Sequence, residues 1–435
     1  MHRLIFPLGV LLAVVLSPSL FAGDSPQKPV QHWVWSTAHV LPKETTSHQS
    51  GYFSIVEGHN GKIYVGTAKY DQNAYLVEFD PATKAMKVVL DAHKEIGTNL
   101  RGFAAQSKFH TRNNVGRSGR IYLGTKQGTP KEGQKVSDYP GGYPMVFDPE
   151  TGITRVYDIP VKHQGIISVT PDESRGVAYI STCSDERPVD STHFMILDLA
   201  SGKYRDLMDC QHRYAFIVID HLGRAYHPIR GGDIARYDPA TDRLERLKQT
   251  IDGLVPAAES LLADPHSHPV NWEVSPDRKT LYAVALNGNQ LYAYDLTAEG
   301  EVLLGRSLGS LVAGAEGTDC RAMCVGADGT VWAGVVTTPL HRAFSHLVSY
   351  RPGASGPTDH GPIAISNPDY TNFTDAEGHP MAHHHGVHRA GGGPLMPRHG
   401  ILGITASRDG AVYLTSLYPF TLHRLKIPQV AGITT

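Results

Sequence analysis

Cysteine is scarce in this chain: Cys183, Cys210, Cys320 and Cys324 are the only ones in 435 residues. Four cysteines allow three full pairings, and the sequence does not choose among them. Cys320 and Cys324 lie on an expected strand, about 13 Å apart at strand rise, too far for a bond without a bend. Their spacing is not Cys-x-x-Cys either. The four are expected to be small buried residues or to hold one structural disulfide. An excess of either charge is also lacking. Lys and Arg number 40 against 42 Asp and Glu, for a net −2, and no basic patch stands out. This argues against a nucleic-acid partner. Beyond the N-terminal segment no apolar run is long enough to span a membrane. There is no Gly-x-Ser-x-Gly, no Rossmann pattern, no phosphate loop and no HExxH. No convincing amphipathic helix occurs, Leu254 to Ala263 being the one short candidate.

What is present is repetition. A short turn leading into Gly-x-(Ile/Ala/Val)-aromatic or a near copy occurs as GKIY from Gly61, GRIY from Gly119, GVAY from Gly176 and GRAY from Gly223. It returns as KTLY from Lys279, GTVW from Gly329 and GAVY from Gly410. Most copies are followed by a second turn of the Asp-Pro-x-Thr-Gly kind, starting at Asp80, Asp148, Asp198, Asp238 and Asp295, with a degenerate form from Arg351. Self-similarity at a period near 50 residues signals a radial array of four-stranded sheets. The expectation is an all-β, seven-bladed β-propeller, with blades near 51–91, 106–159, 165–209, 213–250, 270–308, 319–363 and 398–427. The last blade shows only three strands. His32–Thr37 is the expected fourth, closing the ring without an edge.

Residues 1–22 read as a secretory signal: a basic start at His2 and Arg3, an apolar run from Leu4 to Leu16, and a small-residue cleavage region ending at Ala22. Residues 23–30 read as a linker, 31–428 as the propeller and 429–435 as a tail. A periplasmic or secreted protein without a membrane span, and a monomer, is expected.

The turns between first and second strands are short. The loops on the other face are long: 126–142, 183–192, 251–269, 337–346 and 364–398. Long loops in a compact domain are usually functional. Strand starts at that face carry His110, Arg213, Tyr214, Trp272, Arg321 and His399. Arg holds a carboxylate with two parallel hydrogen bonds, and His and Tyr exchange protons. His110, Arg213, Tyr214 and Arg321 are therefore the candidate catalytic set. Tyr139, Tyr143, Trp272 and His399 are candidate substrate contacts, the aromatic ones by stacking on sugar rings. The segment 379–388 holds His383, His385 and His388, and His266-Ser-His268 repeats the two-apart spacing. Imidazole is the commonest metal ligand near neutral pH. These five are the candidate ligands of a divalent metal: zinc, manganese or calcium.

GRIYLGT from Gly119, YPGGY from Tyr139, RYAFIVIDHLGRAYHP from Arg213 and DCRAMCVGADGTVWAGV from Asp319 resemble exported bacterial seven-bladed propellers. In residue types the mouth is similar to propeller-fold polysaccharide lyases acting on ulvan or oligogalacturonate. That resemblance implies His, Tyr and Arg at the mouth, an acidic polysaccharide or oligosaccharide as partner, and β-elimination beside a uronic carboxylate. The alternatives are a non-catalytic glycan- or protein-binding propeller and a metal-dependent hydrolase or lactonase.

Overall fold

The computed structural model describes residues 32–47, 51–184, 191–256, 270–315, 318–337, 344–367, 370, 377–379, 387–389, 393–397, 400–417, 419–425 and 427. The fold is all-β and propeller-like, built from consecutive antiparallel meanders of four strands. Ile55–Glu57, Ile63–Gly66, Tyr75–Phe79 and Met86–Asp91 form one. Gly165–Asp172, Val177–Cys183, His193–Asp198 and Tyr204–Asp209 form another. Each meander is set by its turns. The glycines of the first turn repeat take left-handed backbone: Gly61 at φ 75°, Gly119 at 84°, Gly176 at 69°, Gly223 at 85°, Gly329 at 82° and Gly410 at 80°. Glycine pays no steric cost there. The copy without glycine uses Arg278 at φ 57° instead.

The second repeat works through its aspartate. Asp80 accepts from the N–H of Ala82 at 2.8 Å and of Thr83 at 3.2 Å, and Asp148 does the same with Glu150 at 3.0 Å and Thr151 at 3.4 Å. These side-chain bonds stand in for a backbone turn. They also hold the Asp80 carboxyl below its usual range. The repeated aromatic of each first-turn motif is buried: Tyr64, Tyr122, Tyr179, Tyr226, Tyr282, Trp332 and Tyr413. Each fills the layer between neighbouring sheets.

Val34–Val40 pairs antiparallel with Thr421–Leu425 and parallel with Thr358–Ile365. It thus lies between the last meander and the one before. Arg243–Ile251 and Val302–Ser310 also pair in parallel, joining two meanders at their outer strands.

Two features depart from the sequence reading. A short helix, Ala92–Ile96, follows Met86–Asp91; the Asp91 side chain accepts from Lys94 N–H at its start and Gly97 at φ 76° ends it. Helices this short have too little periodicity to be read from sequence. The segment 364–398 is not wholly a loop, since Val387–Arg389 and Leu395–Pro397 pair as a hairpin that touches Ile365. The four cysteines are unbridged, and all but Cys324 are fully buried. Among the described residues no helix is long and apolar enough to cross a membrane.

Candidate functional site

Two inner strands are broken, and the breaks carry the site. Lys108–Phe109 and Asn114–Val115 both pair with Ile121–Lys126, but His110 to Asn113 leave the ladder. Side chains replace the missing bonds. Thr111 Oγ1 accepts from Gly124 N–H at 3.2 Å, and Ser54 donates to Asn113 Oδ1 at 2.8 Å. In the fourth meander the inner strand is only Val218–Ile219. Ahead of it, Ile217 is held by Ser168 and Thr170 side chains at 3.1 and 2.9 Å. Arg213 and Tyr214 sit on this irregular stretch. Irregular backbone re-aims side chains out of the alternating pattern of a strand.

His110 is buried, 2% exposed, with its ring 4.1 Å from that of Tyr52 and 5.2 Å from that of Tyr214, centroid to centroid. Phe53 meets it edge-on at 5.3 Å. Cations surround the group. Lys108 Nζ lies 4.7 Å from the Tyr52 ring centre and 5.0 Å from that of Tyr70. It donates to the Tyr70 hydroxyl at 3.4 Å, and the Tyr70 and Tyr52 hydroxyls bond to each other. Lys126 Nζ is 5.7 Å and the Arg213 guanidinium carbon 5.1 Å from the Tyr214 ring centre. Burial, then Lys108 and Lys126, push the His110 imidazole well below its ordinary range. It is therefore neutral. Burial raises the Tyr52 phenol, with Lys108 opposing. Among the described residues, His110 Nδ1 and Arg213 Nε find no hydrogen-bond partner on another residue.

The structure thus brings together His110, Arg213 and Tyr214. It turns Arg321 toward Asp319, at 2.8 Å, although its charge is still felt by His110. Beside it, Asn271 donates to the Arg321 carbonyl at 3.0 Å, and Arg112 pairs with Glu273 at 3.3 Å and bonds to the Trp272 carbonyl.

The proposed sugar-stacking aromatics sit differently. Trp272 is 2% exposed and its indole N–H donates to the Phe216 carbonyl; Tyr139 is fully buried and donates to Gln106 at 2.7 Å. With faces covered and polar tips satisfied inside, both pack the interior rather than present a stacking surface. Tyr143 is half-buried against the core around Tyr64 and Phe147. His266, His268, His383, His385 and His399 lie outside the described residues, and His388 is placed only by the backbone of Val387–Arg389. Among the described residues no three His, Cys, Asp or Glu side chains gather as a metal site would need.

Tyr52, Tyr70, Lys108 and Lys126 were not singled out by the sequence. Lys126 left one signal: it ends a strand, Ile121–Lys126, that is buried at every position, where lysine is out of place.

Comparison with known protein families and with curated protein sequences finds no match. Solved structures do resemble the fold. A streptogramin B lyase aligns with TM-score 0.50 at 13% identity, over 90% of this chain and 97% of that one. The extracellular domain of a putative one-component system from B. thetaiotaomicron aligns with TM-score 0.52 at 12% identity, over 93% of this chain but 42% of the other. A mitotic checkpoint complex chain aligns with TM-score 0.50 at 11% identity, over 96% and 99%. At these identities the likeness is one of fold.

Proposed function

We propose that the protein is an exported, monomeric seven-bladed propeller, closed by its N-terminal strand, that cleaves a uronate-containing polysaccharide by β-elimination. The observation that carries this reading is the pairing of a neutral His110 with Tyr214 inside a ring of cations, with His110 Nδ1 and Arg213 Nε left without a partner on any other described residue. A buried nitrogen left unpaired costs about 1–3 kcal/mol, and an anionic substrate would recover it.

In the reaction, Arg213 and Lys126 hold the uronic carboxylate. Its neighbouring C–H becomes acidic, because the carbanion's charge spreads onto oxygens already held by cations. His110 takes that proton. The C–O bond to the leaving sugar breaks as the double bond forms, and the Tyr214 hydroxyl gives its proton to the leaving oxygen. Proton return from His110 to Tyr214 through solvent restores both groups. Arg321 contributes by field rather than by contact. A divalent metal held by His266, His268, His383, His385 and His388 is a separate part of the proposal, and no step here depends on it.

The test is an assay of the purified protein on polygalacturonate and ulvan, following the new ultraviolet absorbance of the unsaturated uronate. Absence of product from every acidic polysaccharide, together with unchanged binding in a His110→Ala variant, overturns the lyase reading in favour of a binding propeller acting elsewhere. Metal analysis of the same preparation tests the histidine set.

A further inference from the structure

At the other end of the inner strands lies a cavity of about 620 Å³. Gly165–Asp172 connects the two ends. It starts beside Lys126, where a Cβ on Gly165 would come within 2.5 Å of Lys126 Cγ, and finishes at Asp172 in the cavity wall. Eight residues of strand put the two ends about 23 Å apart. The cavity is lined by the short turns of successive meanders, through His59, Arg117, Arg175, His221 and Arg278 among others.

The wall also holds three carboxylates, but each is already engaged. Asp172 accepts from Arg175 at 2.7 Å and from Ser174 at 2.5 Å. Glu173 accepts from Ser118 N–H at 2.8 Å, from its hydroxyl at 2.6 Å and from Tyr122 at 2.8 Å. Asp220 accepts from Arg224 Nε at 2.6 Å, from Tyr226 at 2.9 Å and from two backbone N–H groups at 2.9 Å. Hydrogen bonding holds Asp172 and Glu173 below the usual carboxylate range against the opposing pull of burial. Little acceptor capacity is left for a cation.

The donors are in the opposite state. The guanidinium groups of Arg117 and Arg278 are exposed and make no hydrogen bond or ion pair among the described residues. Arg175 spends Nη1 on Asp172 and lies across Gly223, where a Cβ would stand 2.4 Å from that nitrogen. Gly223 is thus small where the guanidinium must cross the turn. His59 and His221 add ring nitrogens to the same wall.

We propose that this cavity binds a ligand bearing a tetrahedral oxyanion, of the phosphate or sulfate type, held by Arg117, Arg278 and the free edge of Arg175. Planar guanidinium forks match such oxygens with two parallel bonds. The site is independent of the His110 mouth.

Inorganic phosphate and inorganic sulfate are the probes, added to the full chain at constant ionic strength with sodium chloride as the balance. Binding is read by calorimetry and by the rise in Tm, which follows mass action when a ligand binds only the folded state. The expected result is saturable binding of at least one anion, with Kd below about 1 mM. An Arg117→Ala/Arg278→Ala double variant should bind about tenfold more weakly or worse, as loss of charge-assisted bonds implies. Its Tm without anion should match the parent, since neither head group has a partner to lose among the described residues. Arg243→Ala, which removes an exposed arginine elsewhere, should bind as the parent does. Preference for phosphate or for sulfate names the ligand's head group. Equal binding by the double variant and the parent overturns the proposal, and so does a Tm that rises no more than with matched chloride.

Discussion

His110 and Tyr214 come from different meanders, yet their rings stand 5.2 Å apart at an interplanar angle of 38°. Tyr214→Phe keeps the ring and its place against the core, and removes only the hydroxyl. Turnover on an acidic polysaccharide should fall by about 100-fold or more, as loss of a general acid does. KM and the melting temperature should change little. A variant that turns over as fast as the parent removes Tyr214 from the reaction.

Buried histidines make the fold sensitive to acid. His227 donates through Nδ1 to the Pro228 carbonyl at 2.6 Å and takes the Ser181 hydroxyl on Nε2 at 2.8 Å, which fixes it neutral. Burial lowers it from 6.5 to about 3, and lowers His423 to about 3 as well. His110 is lowered in the same direction. The unfolded chain protonates these rings first. Stability is therefore full above the unfolded value of 6.5 and falls as pH drops toward the folded value of about 3. Each ring contributes a slope of up to about 1.4 kcal/mol per pH unit within that window. Urea midpoints measured from about pH 7 to about pH 5 should fall steadily. A flat profile there contradicts neutral burial of these rings.

The turn at Asp80 ends on Lys84, which is exposed and takes φ 62°, where the equivalent positions of other copies hold Gly152 at 72° and Gly202 at 73°. A side chain in that region costs about 1–2 kcal/mol, partly offset by the greater flexibility of glycine when unfolded. Lys84→Gly should raise stability by about 0.5–1 kcal/mol, seen as a higher urea midpoint with unchanged slope. Gly152→Ala should do the reverse.

Val34 is fully buried and packs with Leu347, Ile363, Leu414 and Leu425, on the strand that lies between the two ends of the ladder. Val34→Asp places an unpaired carboxylate there, and should cost more than about 3 kcal/mol. Trp35→Ala, at a residue 44% exposed, should cost far less. Equal effects of the two substitutions on Tm would mean that this strand does not hold the fold together.

The meanders were legible because their turns are chemical. Gly119 and Gly176 stand where left-handed backbone is needed, and Asp80 and Asp148 fold their side chains onto the next N–H groups. Such constraints act within a few residues and leave a mark in the order of the chain. The His110 neighbourhood leaves no such mark. Tyr52, Lys126 and Tyr214 reach it from separate meanders, and only the packed fold tells which lysine of the chain is buried beside which ring. Tyr139 and Trp272 misled for a related reason. Aromatics in polar stretches look like ligand contacts until Gln106 and the Phe216 carbonyl are seen to take their polar tips inward.

The parallel seams at the rim decide where another chain could add a strand. Val302–Gly305 covers the outer side of Lys248–Ile251, and Val34–Ser36 covers Ile363–Ile365, so those stretches offer no open ladder to a neighbour. Among the described residues, Met86–Asp91, Thr154–Val156 and Tyr204–Asp209 end their sheets without such a cover. Each carries charge on its outward run: Lys87, Arg155, and Arg205 with Asp206. Charged edges resist end-to-end stacking of sheets. Of these three borders Met86–Asp91 is the one best suited to receive an added strand, since its Val88, 36% exposed, is the most exposed apolar residue on any of them.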